Sequence, residues 1–233
     1  MKNTIARFVR EGVGQGQIKS ALRAGFISTV AVVLFGMATS ASAQTCAGYG
    51  SFREHGGQIG VGGGFSSGSQ GLAVTASGGG EQLFGTASFA ASGFDNIDGA
   101  LVSLGGGVGS DIAVDASRRV YVCPTVGAAF VTGDLNGMDI SGFNVESGGR
   151  IGIIAGQTPT VDVIPTVGGR VVYARTKSEF LFFEDTVTQT YGLADIGVGF
   201  VFNRRYALVP MVSIPIGVDD SNVSFGVNLG INF

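Results

Sequence analysis

The last eleven residues of the chain alternate without a break. Val223, Phe225, Val227, Leu229, Ile231 and Phe233 are apolar, while Ser224, Gly226, Asn228, Gly230 and Asn232 between them are polar or bare. Period-2 alternation means a strand with one apolar face and one polar or empty face. Such a face is buried either against a second sheet, as in a soluble sandwich, or in lipid, as in a membrane barrel. The pattern recurs upstream in Val120, Val122, Pro124, Val126, Ala128 and Phe130, in Val163, Pro165, Val167, Gly169, Val171 and Tyr173, and in Leu208, Pro210, Val212, Ile214 and Ile216. The 41 glycines in 233 residues exclude a helical bundle, because each would cost about 1 kcal/mol in a helix. Charged residues make up 13% of the chain, against about 25% in an ordinary soluble domain. A closed β-structure with an apolar outside and small residues inside accounts for both numbers.

Each proline-bearing strand follows another alternating strand, so the repeating unit is a hairpin with its loop, the meander of an up-and-down barrel. Counting back from the C-terminus gives strands near 206–216, 191–202, 162–175, 144–156, 120–131 and 99–109. Three shorter ones follow at Gln58–Ser66, Gly71–Ser77 and Leu83–Gly93. The expected fold is all-β, an up-and-down antiparallel transmembrane β-barrel of about ten strands, with eight as the alternative. Strands of about 9–13 residues suit a tilted membrane crossing. Proline within a strand is usually an edge or bulge feature, so Pro124, Pro165 and Pro210 are expected to mark bulges that curve the sheet. The turns sort by charge. Arg118, Arg119, Arg204 and Arg205 fall on the side of the termini, and Asp95, Asp98, Asp134, Asp139, Glu184, Asp185, Asp219 and Asp220 fall in loops on the other. Those outer loops are expected to be short, which argues against a large adhesive surface.

The N-terminus reads as a secretory leader. Lys2, Arg7, Arg10, Lys19 and Arg23 precede an apolar stretch from Gly25 to about Met37, and Ala41-Ser42-Ala43 before Gln44 is an A-x-A cleavage site. About 13 apolar residues would span only about 20 Å as a helix, short of the roughly 30 Å hydrocarbon core. The expected divisions are a signal peptide at 1–43, a periplasmic N-terminal segment at 44–56 and a barrel at 57–233. Loss of the leader removes five of the 14 basic residues and one of the 17 acids, leaving a net charge of −7. No basic patch remains to neutralise a phosphate backbone, which excludes nucleic-acid binding. Cys46 and Cys123 remain, and an even count in an exported chain suggests one disulfide. It would draw residues 44–54 into the lower mouth of the barrel as a latch.

The A-x-A leader, the dyad strands, the glycine-rich inner face and the terminal Phe233 resemble the small outer-membrane β-barrel family, the OmpA/OmpX-like group. Val122-Cys123-Pro124, Val167-Gly168-Gly169 and Ile196-Gly197-Val198-Gly199-Phe200 carry the same likeness, which extends over nearly all of residues 56–233. The chain departs from the OmpA pattern in having no C-terminal peptidoglycan-binding domain, so cell-wall tethering is not carried over. The resemblance implies an outer-membrane location and contact with lipid and lipopolysaccharide. It also implies periplasmic chaperones and the barrel-assembly machinery as partners during insertion, with Phe225, Val227, Leu229, Ile231 and Phe233 as the assembly signal of a monomer.

Four charged residues fall on the inward face in this register: Glu146, Arg150, Arg170 and Asp195, on three successive strands. An arginine facing lipid near the midplane would cost roughly 2–4 kcal/mol, so an inward ion-pair network that blocks or narrows the lumen is expected. Other inward positions, among them Gly60, Gly62, Gly64, Ser77, Ser88, Gly105, Gly127, Gly152 and Gly197, have small side chains that leave space. Catalysis has little support. His55 is the chain's one histidine and precedes the first strand, no His/Cys cluster suggests a transition metal, and the acid pair Asp219-Asp220 is ordinary for a loop. The expectation is a non-enzymatic barrel without cofactor or metal. Its role is structural or in surface interaction with a largely plugged lumen, the alternative being a narrow porin-like channel for ions or small solutes. A secreted soluble barrel that holds an apolar ligand is a weaker third.

Overall fold

The computed structural model describes residues 45–50, 56–80, 82–180, 183–217 and 222–233. The expected leader at 1–43, His55, Asp219 and Asp220 lie outside the described residues. Ten long strands make one sheet: β1 (Gly57–Ser66), β2 (Ser69–Gly79), β3 (Leu83–Phe94), β4 (Ile97–Ser110), β5 (Val120–Leu135), β6 (Met138–Ile153), β7 (Val161–Phe180), β8 (Phe183–Phe202), β9 (Tyr206–Ile216) and β10 (Ser224–Asn232). Each pairs antiparallel with the next in chain order, and β1 pairs with β10 from Gln58↔Asn232 to Phe65↔Phe225, which closes the barrel. Beyond that ladder, Gly57 N donates to Phe233 O (3.1 Å) and Phe233 N donates to Gly57 O (3.0 Å). Two-residue ladders at Ile112–Ala113 and Gly156–Gln157 extend the pairing of β5 and β7 at the end that holds the termini.

Local sequence sets the turns. Asn136-Gly137 and Asn203-Arg204 both adopt positive φ at their two central residues (53° and 76°, 49° and 57°). In the first case these two residues are the whole loop, the hairpin turn whose twist matches that of the strands, while Arg205 makes the second a three-residue loop closed by Phe202↔Tyr206. Alternation then decides which side chains face out. Ile59, Val61, Phe65, Leu72, Val74, Leu104, Val126, Phe130, Val167 and Leu229 are all exposed on the outer wall. Phe65 and Phe225 stack there across the closing ladder, 5.7 Å between ring centroids. Among the described residues no second sheet covers this face. No helix among the described residues is long and apolar enough to cross a membrane.

Three expectations are corrected. The strands β5 and β6 run 16 residues each and β7 and β8 run 20, well beyond the lengths expected from the alternation. Consequently Asp134, Asp139, Glu184 and Asp185 sit within strands near the far rim rather than in loops. The rim is not level: β6 accompanies β7 up to Asp139↔Glu179, whereas β8 meets β9 only from Gly192↔Ile216 downward, so the β7–β8 hairpin stands free on its β9 side. The polar, β-branched residues Thr186, Thr188 and Thr190 sustain a strand there without the apolar signal that marks one in sequence. Last, the register runs unshifted through Pro124, Pro165 and Pro210, each of which faces outward. The shift lies between Ser92 and Phe94 instead, beside Gly93.

Candidate functional site

The inner wall and the N-terminal segment fill the lumen at three levels. At the end that holds the termini, residues 45–50 enter the barrel, beginning with a 3-10 turn at Thr45–Ala47. Thr45, Cys46, Ala47 and Tyr49 are all buried. Cys46 forms a disulfide with Cys123 of β5, whose side chain faces inward. The segment rests on bare backbone. A Cβ on Gly152 would collide with the main chain of Thr45 and Cys46, one on Gly199 with the main chain of Gly48, and one on Gly230 would sit 2.7 Å from Tyr49 Cε1. Gly48 itself has φ +86° and packs its backbone on Gly199, so neither position admits a side chain. Ala47 and Tyr49 pack with Ile164, Val201, Ala207 and Val209, a small apolar core that the segment completes. Asp111, in the turn after β4, closes the outer side of this plug. Its Oδ1 lies 3.0 Å from Cys123 Sγ, and burial pushes its carboxyl up to about 6.

One layer further in, the structure brings Glu146, Arg150, Arg170 and Asp195 together. Arg150 Nη2 donates to Asp195 Oδ2 at 3.0 Å, Arg170 Nη1 to Glu146 Oε2 at 3.2 Å and Arg170 Nη2 to Asp195 Oδ1 at 3.3 Å. Ser213 Oγ on β9 adds a third donor to Asp195. All four charged side chains are nearly buried, with 4–11% of their surface exposed. The ladder register makes this possible. Gly148 pairs with Arg170 and Arg150 pairs with Gly168, so each arginine lies across a position that has no side chain. A Cβ on Gly168 would overlap Arg150 Cγ, and one on Gly148 would overlap the Arg170 stem.

Toward the far rim, Leu101, Ala129, Val131, Leu135 and Ile140 form an apolar cluster inside the β4–β6 wall, with Phe94, Ile97 and Met138 against it. Across the lumen a cavity of about 60 Å³ remains, lined by Gly62, Gly64, Ser213, Ser224, Gly226 and Asn228 among others. That is room for a few waters. Residues of the C-terminal alternation, Phe225, Val227, Leu229, Ile231 and Phe233, stand on the outer wall.

Sequence reasoning named the four charges and the cysteine pair but read the inward glycines as empty space. At Gly152, Gly199 and Gly230 that space is taken by the N-terminal segment. The inward apolar residues of the rim cluster were also missed. Their signal was present, since Leu101, Val131, Leu135 and Ile140 sit at inward positions of their strands.

No protein-family model matches the sequence, and no curated protein matches it. Several solved barrels do resemble the structure. The N-terminal β-barrel domain of Pseudomonas aeruginosa OprF aligns at 12% identity with a TM-score of 0.39, covering 76% of this chain and 96% of that one. Neisserial surface protein A aligns at 12% identity and TM-score 0.37 over the same shares. The translocator domain of the autotransporter NalP from Neisseria meningitidis aligns at 13% identity and TM-score 0.44, covering 76% and 87%.

Proposed function

We propose that the chain is an integral outer-membrane β-barrel protein with a structural or surface-interaction role and a closed lumen. One observation carries this: a single closed sheet whose outer wall is apolar and uncovered, while its interior is filled by the plug, the buried ion pairs and the rim cluster. A soluble barrel would leave that outer wall in water, at roughly 25 cal/mol for each Å² of apolar surface. The arginine-bearing turns and both barrel termini would face the periplasm, and the taller acidic rim would face outward among lipopolysaccharide. The β7–β8 hairpin, with Lys177 bridged to Glu179 (2.5 Å) and Glu184 (3.1 Å), is the natural contact surface. Insertion would use periplasmic chaperones and the barrel-assembly machinery, with the C-terminal alternation ending in Phe233 as the signal, and the product would be a monomer. Catalysis forms no part of this role.

The test is to refold residues 44–233 in detergent without reductant, confirm heat-modifiable migration, and record from planar bilayers. Silent bilayers holding folded protein are expected. Discrete conductance steps would overturn the closed lumen in favour of a narrow channel for ions or small solutes. Release of the native protein from membranes by carbonate alone would overturn the integral placement.

A further inference from the structure

The plug and the ion pairs obstruct different parts of the lumen. The charged cluster belongs to β6–β8, with Ser213 of β9 attached. Between its two ends the opposite wall, from β10 through β1 to β4, presents small neutral groups inward at Gly60, Gly62, Thr75, Ser77, Ser88 and Gly105, with Gln58 and Phe84 buried at the lower end and Leu101 at the upper. This bare half leads up to the cavity beside Gly62, Ser224 and Asn228. At its lower end stands Tyr49, its ring against Gly230 and its hydroxyl 3.9 Å from where a Cβ on Gly60 would be. Tyr49 is carried by a segment that the Cys46–Cys123 bond ties to the wall, and it otherwise rests on glycine backbone and a few apolar side chains.

We infer that residues 45–50 are a redox-held gate: opening the Cys46–Cys123 disulfide lets the segment leave its glycine seats and uncovers a passage along the β10–β4 wall. The inference rests on the lumen being closed in the oxidised protein. The reductant is a dithiol. One of its thiolates attacks Cys46 Sγ, forming a mixed disulfide and expelling Cys123 as a thiolate. The Asp111 carboxyl, 3.0 Å from Cys123 Sγ, supplies the proton that thiolate needs. A disulfide sulfur carries no proton, so the short contact suits the acid form of Asp111. The second thiol of the reductant then attacks the mixed disulfide, Cys46 leaves and is protonated, and the reductant departs as its own disulfide. Two electrons pass to the protein. Neither sulfur has exposed surface, so attack waits for a brief local opening beside the bond, with the segment still tethered, and reduction is slow.

The experiment records planar-bilayer conductance of folded wild-type protein before and after dithiothreitol, with thiols counted by a maleimide polymer that shifts gel migration. The Cys46→Ser/Cys123→Ser protein and a Tyr49→Ala protein follow in parallel. Silence before reduction, steps after two thiols appear, and steps from the double serine protein without reductant are expected. Tyr49→Ala should shorten the wait for reduction, and Asp111→Asn should slow thiol appearance roughly tenfold or more, with Asp111→Glu restoring it. Steps from the oxidised wild type would defeat the closed-lumen reading itself. Silence from protein that shows two thiols and still migrates as a folded barrel would defeat the gate and leave that reading standing. Should the double serine protein not fold, reduction of already folded wild type gives the same decision.

Discussion

Asp195 holds the lumen charges together, and removing it should be costly in a way that removing Glu146 is not. Asp195 accepts from Arg150, Arg170 and Ser213, whereas Glu146 meets Arg170 alone in the cluster. Asp195→Ala therefore strands the Arg150 guanidinium, 11% exposed, without a carboxylate, while Arg170 keeps Glu146 at 3.2 Å. Breaking a buried pair by deleting one partner costs about 3–5 kcal/mol, since the other charge stays desolvated. Glu146→Ala leaves Arg170 on Asp195, and a loss of about 1–3 kcal/mol is expected, the size of a charged hydrogen bond. Taking away the stranded charge as well, in Asp195→Ala/Arg150→Met, should recover most of the larger loss, because no unpaired ion is then buried. Equilibrium unfolding in urea with detergent, followed by loss of the compact gel form, measures all three. If the lumen were wet, water would solvate Arg150 and each single substitution would cost under about 1 kcal/mol. Equal small losses in Asp195→Ala and Glu146→Ala, or a double variant no better than Asp195→Ala, would refute the dry network.

Three further outcomes follow from the packing. Gly168→Val should displace the Arg150 stem and cost about 1–3 kcal/mol by overpacking, whereas Gly149→Ala on the outer wall, with its nearest neighbour at 3.7 Å, should change the unfolding midpoint little. Asp111 titrates near 6 in the folded protein against an ordinary 3.8, a raised acid, so its stabilising share is complete below about pH 4 and is lost as pH rises through about 6. Stability should thus fall by up to about 2–3 kcal/mol across that window in wild type, and the fall should be absent from Asp111→Asn measured beside it. Deleting Phe233 removes the mutual main-chain pair with Gly57 that ends the closing ladder, and the yield of heat-modifiable barrel from refolding should drop, with Phe233→Tyr close to wild type.

The architecture was legible because period-2 alternation is local. A strand with Val223, Phe225 and Val227 on one face and Ser224, Gly226 and Asn228 on the other declares its two sides without reference to any partner. Turn residues such as Asn203-Arg204-Arg205 separate one strand from the next. The up-and-down order and a count of about ten, with eight left open, follow from that, and so does the inward parity of Glu146, Arg150, Arg170 and Asp195. Strand ends were less legible where β7 and β8 rise out of the apolar zone, because Thr186, Thr188 and Thr190 carry no hydrophobic period.

How the plug and the ion pairs are seated in the lumen was decided by tertiary structure. A glycine facing inward looks the same in sequence whether it borders water, seats an arginine or admits another stretch of backbone. Gly168 makes room for Arg150, Gly199 receives Gly48, and Gly62 lines a cavity, and the alternation marks all three alike. The difference arises from register between strands far apart in the chain, and from a disulfide that spans a separation of 77 residues to bring the N-terminal segment inside. Alternation fixes the side of the sheet on which a residue stands; only closure of the barrel determines what it meets there.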